Sequence, residues 1–85
     1  MVLTGKVQGV GFRHFVRQKA LEFNLAGWVK NKTDGTVEIE VVGDEEMILF
    51  FTDLLKTGNR DSSIDRIFKT ELPVREKYIS FFIKH

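Results

Sequence analysis

Two short stretches of the chain hold residue types suited to phosphate chemistry. In Gln8-Gly9-Val10-Gly11-Phe12-Arg13, two glycines and an arginine stand where an extended segment gives way to a helical pattern. Glycines there permit backbone angles that turn successive N–H groups toward one point, an anion nest. A helix start adds unpaired donors and a partial positive charge. Arg13, in the first helical turn, brings a guanidinium that can fork onto the same oxyanion. Gln8, Gly9, Val10, Gly11, Phe12 and Arg13 thus read as a metal-free phosphate cradle. The spacing is neither that of a Walker A loop, which closes on Gly-Lys-Ser/Thr, nor that of GxGxxG. The same residues read equally well as a tight turn followed by a solvated helix charge.

The second stretch is Gly27-Trp28-Val29-Lys30-Asn31. A neutral amide with both a donor and an acceptor can hold a water in a fixed orientation, and Asn31 ends a strand pattern just before a turn. Taken alone, Asn31 fits a turn residue bonded to its own backbone better than a water ligand. Other polar candidates read as structural. His14 follows Arg13 on a helix and is turned about 100° from it, away from any shared site. Trp28 reads as sheet packing, and Glu38 and Glu40 as the solvated face of a strand. Lys6, Lys30 and Lys32 raise the local positive potential without being individually required.

The elements that must position these residues follow from periodicity. Val2 to Val7 reads as a short first strand, Met1 standing only four residues before Gly5. From Phe12 the spacing becomes helical: Phe12, Phe15, Val16, Ala20 and Phe23 share a face, with Asn24 and Gly27 as stop signals. Ala26 to Lys32 reads as a second strand, and Thr33-Asp34-Gly35 as a hairpin turn. Thr36 to Val42 alternates, with Val37, Ile39 and Val41 opposite Glu38 and Glu40. Asp44 is a helix N-cap, Glu45 and Glu46 suit the first turn, and Gly58 is a stop. Between them Met47, Ile48, Phe51, Leu54 and Leu55 form an apolar face. Ile64 to Leu72 and Tyr78 to Ile83 read as two last strands around a turn at Pro73 to Lys77. In the final strand Ile79, Phe81 and Ile83 alternate with Ser80 and Phe82.

That order predicts an α+β chain with a ferredoxin-like α/β sandwich. It is βαββαβ with an added C-terminal strand, a mostly antiparallel sheet carrying two helices on one face. At 85 residues, 1–85 is expected to be a single domain. Its 42% hydrophobic and 29% charged residues suit a folded globule, not a disordered chain. A net charge of +1 gives no bulk attraction to nucleic acid or membranes. With no cysteine there are no disulfides, thiolate zinc sites or Cys nucleophiles, and the two His, at 14 and 85, are too far apart in sequence to suggest a metal site. No apolar run approaches the ~20 residues of a membrane span, and no signal peptide is visible. A cytoplasmic monomer is the expectation.

The residues also carry a family resemblance. Gly5 to Arg13, then Gly27-Trp28-Val29-Lys30-Asn31 and Asp34-Gly35-Thr36-Val37-Glu38, resemble an acylphosphatase. The likeness extends through Val41-Val42-Gly43, the second helix, Ser63-Ile64-Asp65-Arg66 and Phe81-Phe82-Ile83. It implies hydrolysis of a carboxyl–phosphate mixed anhydride to carboxylate and inorganic phosphate, with no metal or cofactor. It further implies that Arg13 and the backbone N–H groups of Gln8 to Arg13 bind the phosphoryl group, and that Asn31 positions the attacking water. Where some members carry a hydroxyl residue after that asparagine, this chain has Lys32.

Two rival readings are a non-catalytic ferredoxin-like binding module and the front domain of a hydrogenase-maturation carbamoyltransferase. An RNA-binding sheet would interleave basic and aromatic residues, whereas Thr36 to Val41 presents Glu38 and Glu40. Arg13 and Asn31 are both present, which disfavours a degenerate binding module. With the chain ending at His85 and no Cys for the zinc-finger segments of those larger proteins, a stand-alone enzyme acting on small-molecule acyl phosphates is expected. The acyl group is equally open to a small group or a larger metabolite.

Overall fold

The structure, a computed structural model, describes residues 1–9, 11–71 and 78–85. The elements are β1 (Val2–Lys6), α1 (Phe12–Glu22), β2 (Ala26–Asn31), β3 (Val37–Val42), α2 (Glu45–Thr57), β4 (Ser63–Phe68) and β5 (Phe81–Lys84).

The alternating apolar residues of the strands dictate a sheet with one buried face. Leu3 of β1, Val29 of β2, Val37 and Ile39 of β3 and Phe81 of β5 are all buried in one cluster. Against them pack Phe12, Val16 and Ala20 of α1 and Phe51 and Leu55 of α2. Phe51 and Phe81 meet edge to face with ring centres 6.5 Å apart, so α2 is keyed to the last strand through aromatic contact. The five strands lie in the order β4-β1-β3-β2-β5. The pairs β1–β3, β1–β4 and β2–β3 are antiparallel, and β2–β5 is parallel. This is the expected ferredoxin-like sandwich with its additional strand, placed at the β2 edge. Among the described residues, no helix is long and apolar enough to cross a membrane.

Helix boundaries follow local chemistry. Asp44 caps α2, its Oδ1 accepting from the N–H groups of Glu46 at 2.9 Å and Met47 at 3.4 Å. Gly58 closes the helix, donating to Leu55 O at 2.9 Å. Helix α1 ends at Glu22, with Asn24 in the left-handed region (φ 56°) and Leu25 N donating back to Ala20 O at 2.9 Å. That return bond buries Leu25 and launches β2. Asn24 is therefore the stop, while Gly27 belongs to β2 and serves a different purpose. The first helix face is narrower than its spacing implies: Phe15 and Phe23 are only partly buried. In α2, Thr52 joins the buried face, its hydroxyl donating to Ile48 O at 2.8 Å. That local bond is what makes a buried hydroxyl tolerable.

Several strand limits move. β1 stops at Lys6, β2 at Asn31, and β3 starts at Val37. β4 ends at Phe68, four residues short of the expected Leu72, which lies outside the described residues, as does the expected turn at Pro73 to Lys77. The last strand starts at Phe81 rather than Tyr78. Its partner β2 begins at Ala26, and the ladder opens with Gly27 N donating to Ser80 O at 3.0 Å, so earlier residues have no strand to pair with. Ile79 is accordingly 96% exposed instead of packed. Tyr78 turns its hydroxyl onto Glu40 Oε2 at 3.0 Å.

Gly27 lies opposite Val41, with φ 135°. A Cβ there would occupy the place of the Glu40 carbonyl oxygen. The β2–β3 pairing that carries Asn31 thus depends on a missing side chain. Gly27→Ala is expected to cost at least about 2–3 kcal/mol through strain and overpacking. Urea unfolding should show a lower midpoint at an unchanged m-value; an unchanged midpoint would mean that the ladder opens without cost.

Candidate active site

The chain leaves β1 at Lys6 and buries Val7, and α1 starts at Phe12. Gly9 (φ 72°) and Gly11 (φ 73°, ψ 14°) are both left-handed. No added Cβ would clash at Gly9, so the requirement there is conformational rather than spatial. Gly11 is the N-cap of α1 and offers no side chain to the helix start. The first helical bond runs from Phe15 N to Gly11 O at 3.1 Å. The N–H groups of Phe12, Arg13 and His14 lie ahead of it and point out of the helix end, the positive pole of its dipole. Val10, also expected in this cradle, lies outside the described residues.

Gln8 ties this loop to the β2–β3 turn. Its Nε2 donates to Lys32 O at 2.7 Å and to Thr36 O at 2.8 Å. Both amide protons are used, so the Gln8 side chain acts as a brace, and only its backbone remains available to the cradle. The turn it grips is itself closed. Lys32 N donates to Thr36 O at 2.9 Å and Gly35 N to Lys32 O at 3.2 Å. Asp34 Oδ1 accepts from the Thr36 hydroxyl at 2.6 Å and from Thr36 N at 3.0 Å. The hydroxyl bond first, then the backbone bond, hold the Asp34 carboxyl below the usual carboxylate range, with Lys32 adding to the effect. A lowered carboxyl value means that this turn is supported above that range, and the support is lost as the pH falls through it.

Between loop and turn lies a cavity of about 110 Å³, lined by Val7, Gly9, Gly11, Phe12, Arg13, His14 and Asn31. Arg13 and Asn31, far apart in sequence, meet in its wall. Asn31 Oδ1 is buried and accepts no hydrogen bond from any described group. Such an atom costs about 1–3 kcal/mol unless something donates to it. The alternative reading of Asn31, a turn residue bonded to its own backbone, lacks the bond it needs. His14 was expected to face away, yet it contributes to the wall, because at the first turn of a helix all the leading residues border the open end. Lys30 lies on the opposite face of β2 from Asn31, level with Glu38. Trp28 is also remote, its ring covered by Lys84 Nζ at 4.4 Å on the other face of the sheet.

Sequence spacing did not reveal His85. Its Nδ1 sits 3.4 Å from Arg13 Nη1 across a separation of 72 residues. Nothing local in the sequence signals a contact of that span.

The brace predicts a sharp substitution effect. Gln8→Glu replaces two donors with a carboxylate facing two carbonyl oxygens and adds negative charge beside the cradle. Phosphate binding, followed by calorimetric titration, should weaken at least about tenfold, with a lowered melting temperature. Unaltered phosphate binding would show that the loop holds its shape without Gln8.

Comparison with known proteins places this arrangement. The family model for acylphosphatase matches residues 1–83. An acylphosphatase of Geobacillus kaustophilus (strain HTA426) is 41% identical over 85 residues, covering 100% of this chain and 90% of that protein. The crystal structure of acylphosphatase from Bacillus subtilis superposes with a TM-score of 0.95 at 42% identity, covering 99% of this chain and 93% of that one. The crystal structure of T. kodakarensis HypF superposes with a TM-score of 0.87 at 42% identity, covering 99% of this chain but 12% of that one.

Proposed function

The chain belongs to the acylphosphatase family, an enzyme of ferredoxin-like fold, and on that premise we propose that Arg13, the 8–13 loop and Asn31 carry its reaction. The substrate is a small-molecule acyl phosphate. Its phosphoryl group sits in the cavity with the equatorial oxygens against the N–H groups of residues 8–13 and the Arg13 guanidinium. Asn31 Oδ1 accepts a hydrogen bond from water and aims its oxygen at phosphorus, opposite the acyl oxygen.

In the reaction, a bond forms from the water oxygen to phosphorus and the bond from phosphorus to the acyl oxygen breaks. The carboxylate leaves with the electron pair. It is stable unprotonated, so no strong general acid is needed. The water proton passes to a phosphate oxygen, so this route needs no general base from the enzyme. Such a transfer asks the protein for positioning and for fixed donors, and a helix end with an arginine supplies both without a metal.

The observation that carries this reading is the buried, unpaired Oδ1 of Asn31 in the same wall as Arg13 and the open end of α1. A merely structural asparagine would have its acceptor satisfied. An unpaired acceptor in this wall supports reading Asn31 as the ligand of the attacking water.

The test is hydrolysis of benzoyl phosphate in the presence of EDTA by the parent chain, Arg13→Ala and Asn31→Ala. Arg13→Ala should lose at least about 10³-fold in kcat/KM, and Asn31→Ala about 10²–10³-fold in kcat. Because Asn31→Ala removes an unsatisfied buried acceptor, its unfolding free energy should be unchanged or higher while activity falls. Substantial turnover by either folded variant would sink the assignment of that residue. The pH–rate profile should show no essential enzyme ionisation near neutrality; one found there would replace the substrate oxygen as proton acceptor.

A further inference from the structure

Arg13 must be held as well as present. Lysine and arginine side chains are long and mobile, and a guanidinium already seated loses less freedom when it binds a phosphoryl group. A carboxylate would hold it firmly but would also cancel the charge that the phosphoryl group needs. Among the described residues the only ion pairs are Lys19–Glu22 and Lys56–Asp53, so no carboxylate takes Arg13. Its neighbour is the His85 imidazole, at 3.4 Å. A guanidinium can only donate, so Nδ1 is the acceptor and the ring is neutral in this contact. A neutral acceptor orients the guanidinium and leaves its charge intact.

The fold brings this residue to the site by a regular device. β5 runs parallel to β2 with Gly27 level with Phe81, Val29 with Ile83 and Lys30 with Lys84. One more step along both chains sets His85 level with Asn31. Phe81 is buried and Ile83 packs on the core, so alternation sends residue 85 to the same helix-covered face. One turn further along α1, Arg17 Nε donates to Phe81 O at 3.2 Å and fixes the other end of β5 to the helix. Arg13, Asn31 and His85 therefore gather at one end of the sheet from three separate elements.

We propose that His85 is a positioning residue that seats the Arg13 guanidinium for phosphoryl binding. The proposal rests on the assignment of Arg13 above. It is tested by steady-state hydrolysis of benzoyl phosphate and competitive inhibition by inorganic phosphate, with the full chain and its His85→Ala and His85→Asn variants, each checked for an unchanged melting curve. His85→Ala should raise KM and the phosphate inhibition constant together by roughly fivefold, with kcat within about twofold, the pattern of lost uniform binding. His85→Asn places an amide oxygen near the position of Nδ1 and should recover most of both. Unchanged KM and inhibition constant in His85→Ala, a loss confined to kcat, or no recovery in His85→Asn would each overturn the proposal. If Arg13→Ala is inactive while His85→Ala is normal, only the role of His85 fails. If Arg13→Ala stays active, the underlying assignment fails with it.

Discussion

The join between β1 and α1 governs the rest of the molecule. A strand inside a sheet has its backbone groups engaged by neighbours, and a helix start leaves its first donors unengaged. Passing from one to the other takes two left-handed glycines, Gly9 and Gly11, both of which border the cavity. A loop of that kind has little to hold it. Gln8 supplies the hold by spending both amide protons on the carbonyls of Lys32 and Thr36. Loop and hairpin turn are thereby tied together, just beyond the point where β2 ends in Asn31.

The remaining architecture can be understood as keeping that join in place. β1 lies between β3 and β4, so the strand that feeds the loop is paired on both edges despite its five residues. Met1 lengthens the contact further, with Ile39 N donating to Met1 O at 2.8 Å. Phe12, the first residue of α1, is fully buried and anchors the helix start directly beneath the cavity. A large aromatic at that position ties the direction of the helix end to the core, where a shift of even one methylene is resisted by packing.

The site itself runs against stability. Among the described residues it contains a buried acceptor with no donor, a partly buried cation without an anionic partner, and a helix end without a side-chain cap. Each would be corrected in a sequence shaped for folding alone. Their concentration in one cavity, while the neighbouring helix α2 has its cap in order, is what supports the proposal that this cavity takes an anion and a water.

Much of this was legible in the chain as written. Period-two alternation in Val37–Val42, helical spacing from Phe12 and Glu45, and the cap at Asp44 are local rules obeyed by neighbouring residues, and they fixed the element order and the ferredoxin-like class. The glycine spacing before Arg13 marked the left-handed turn into α1 for a local reason too, since backbone angles and helix ends are set within a few residues. Local rules failed where a partner was needed. The last strand starts at Phe81 because β2 begins at Ala26, and Ile79 is left in solvent although its spacing fits a strand. Asn31 could not be separated from an ordinary turn residue until its oxygen was seen buried and unbonded. The bracing bonds of the Gln8 side chain had no local signal, and neither did the His85 contact. The sequence by itself determined the elements and the fold class, and it marked the glycine turn ahead of α1, because these depend on contacts between near neighbours. Only the tertiary structure decided which polar groups are satisfied and which are left open, because hydrogen-bond partners separated by 24 to 72 residues are chosen by packing and register.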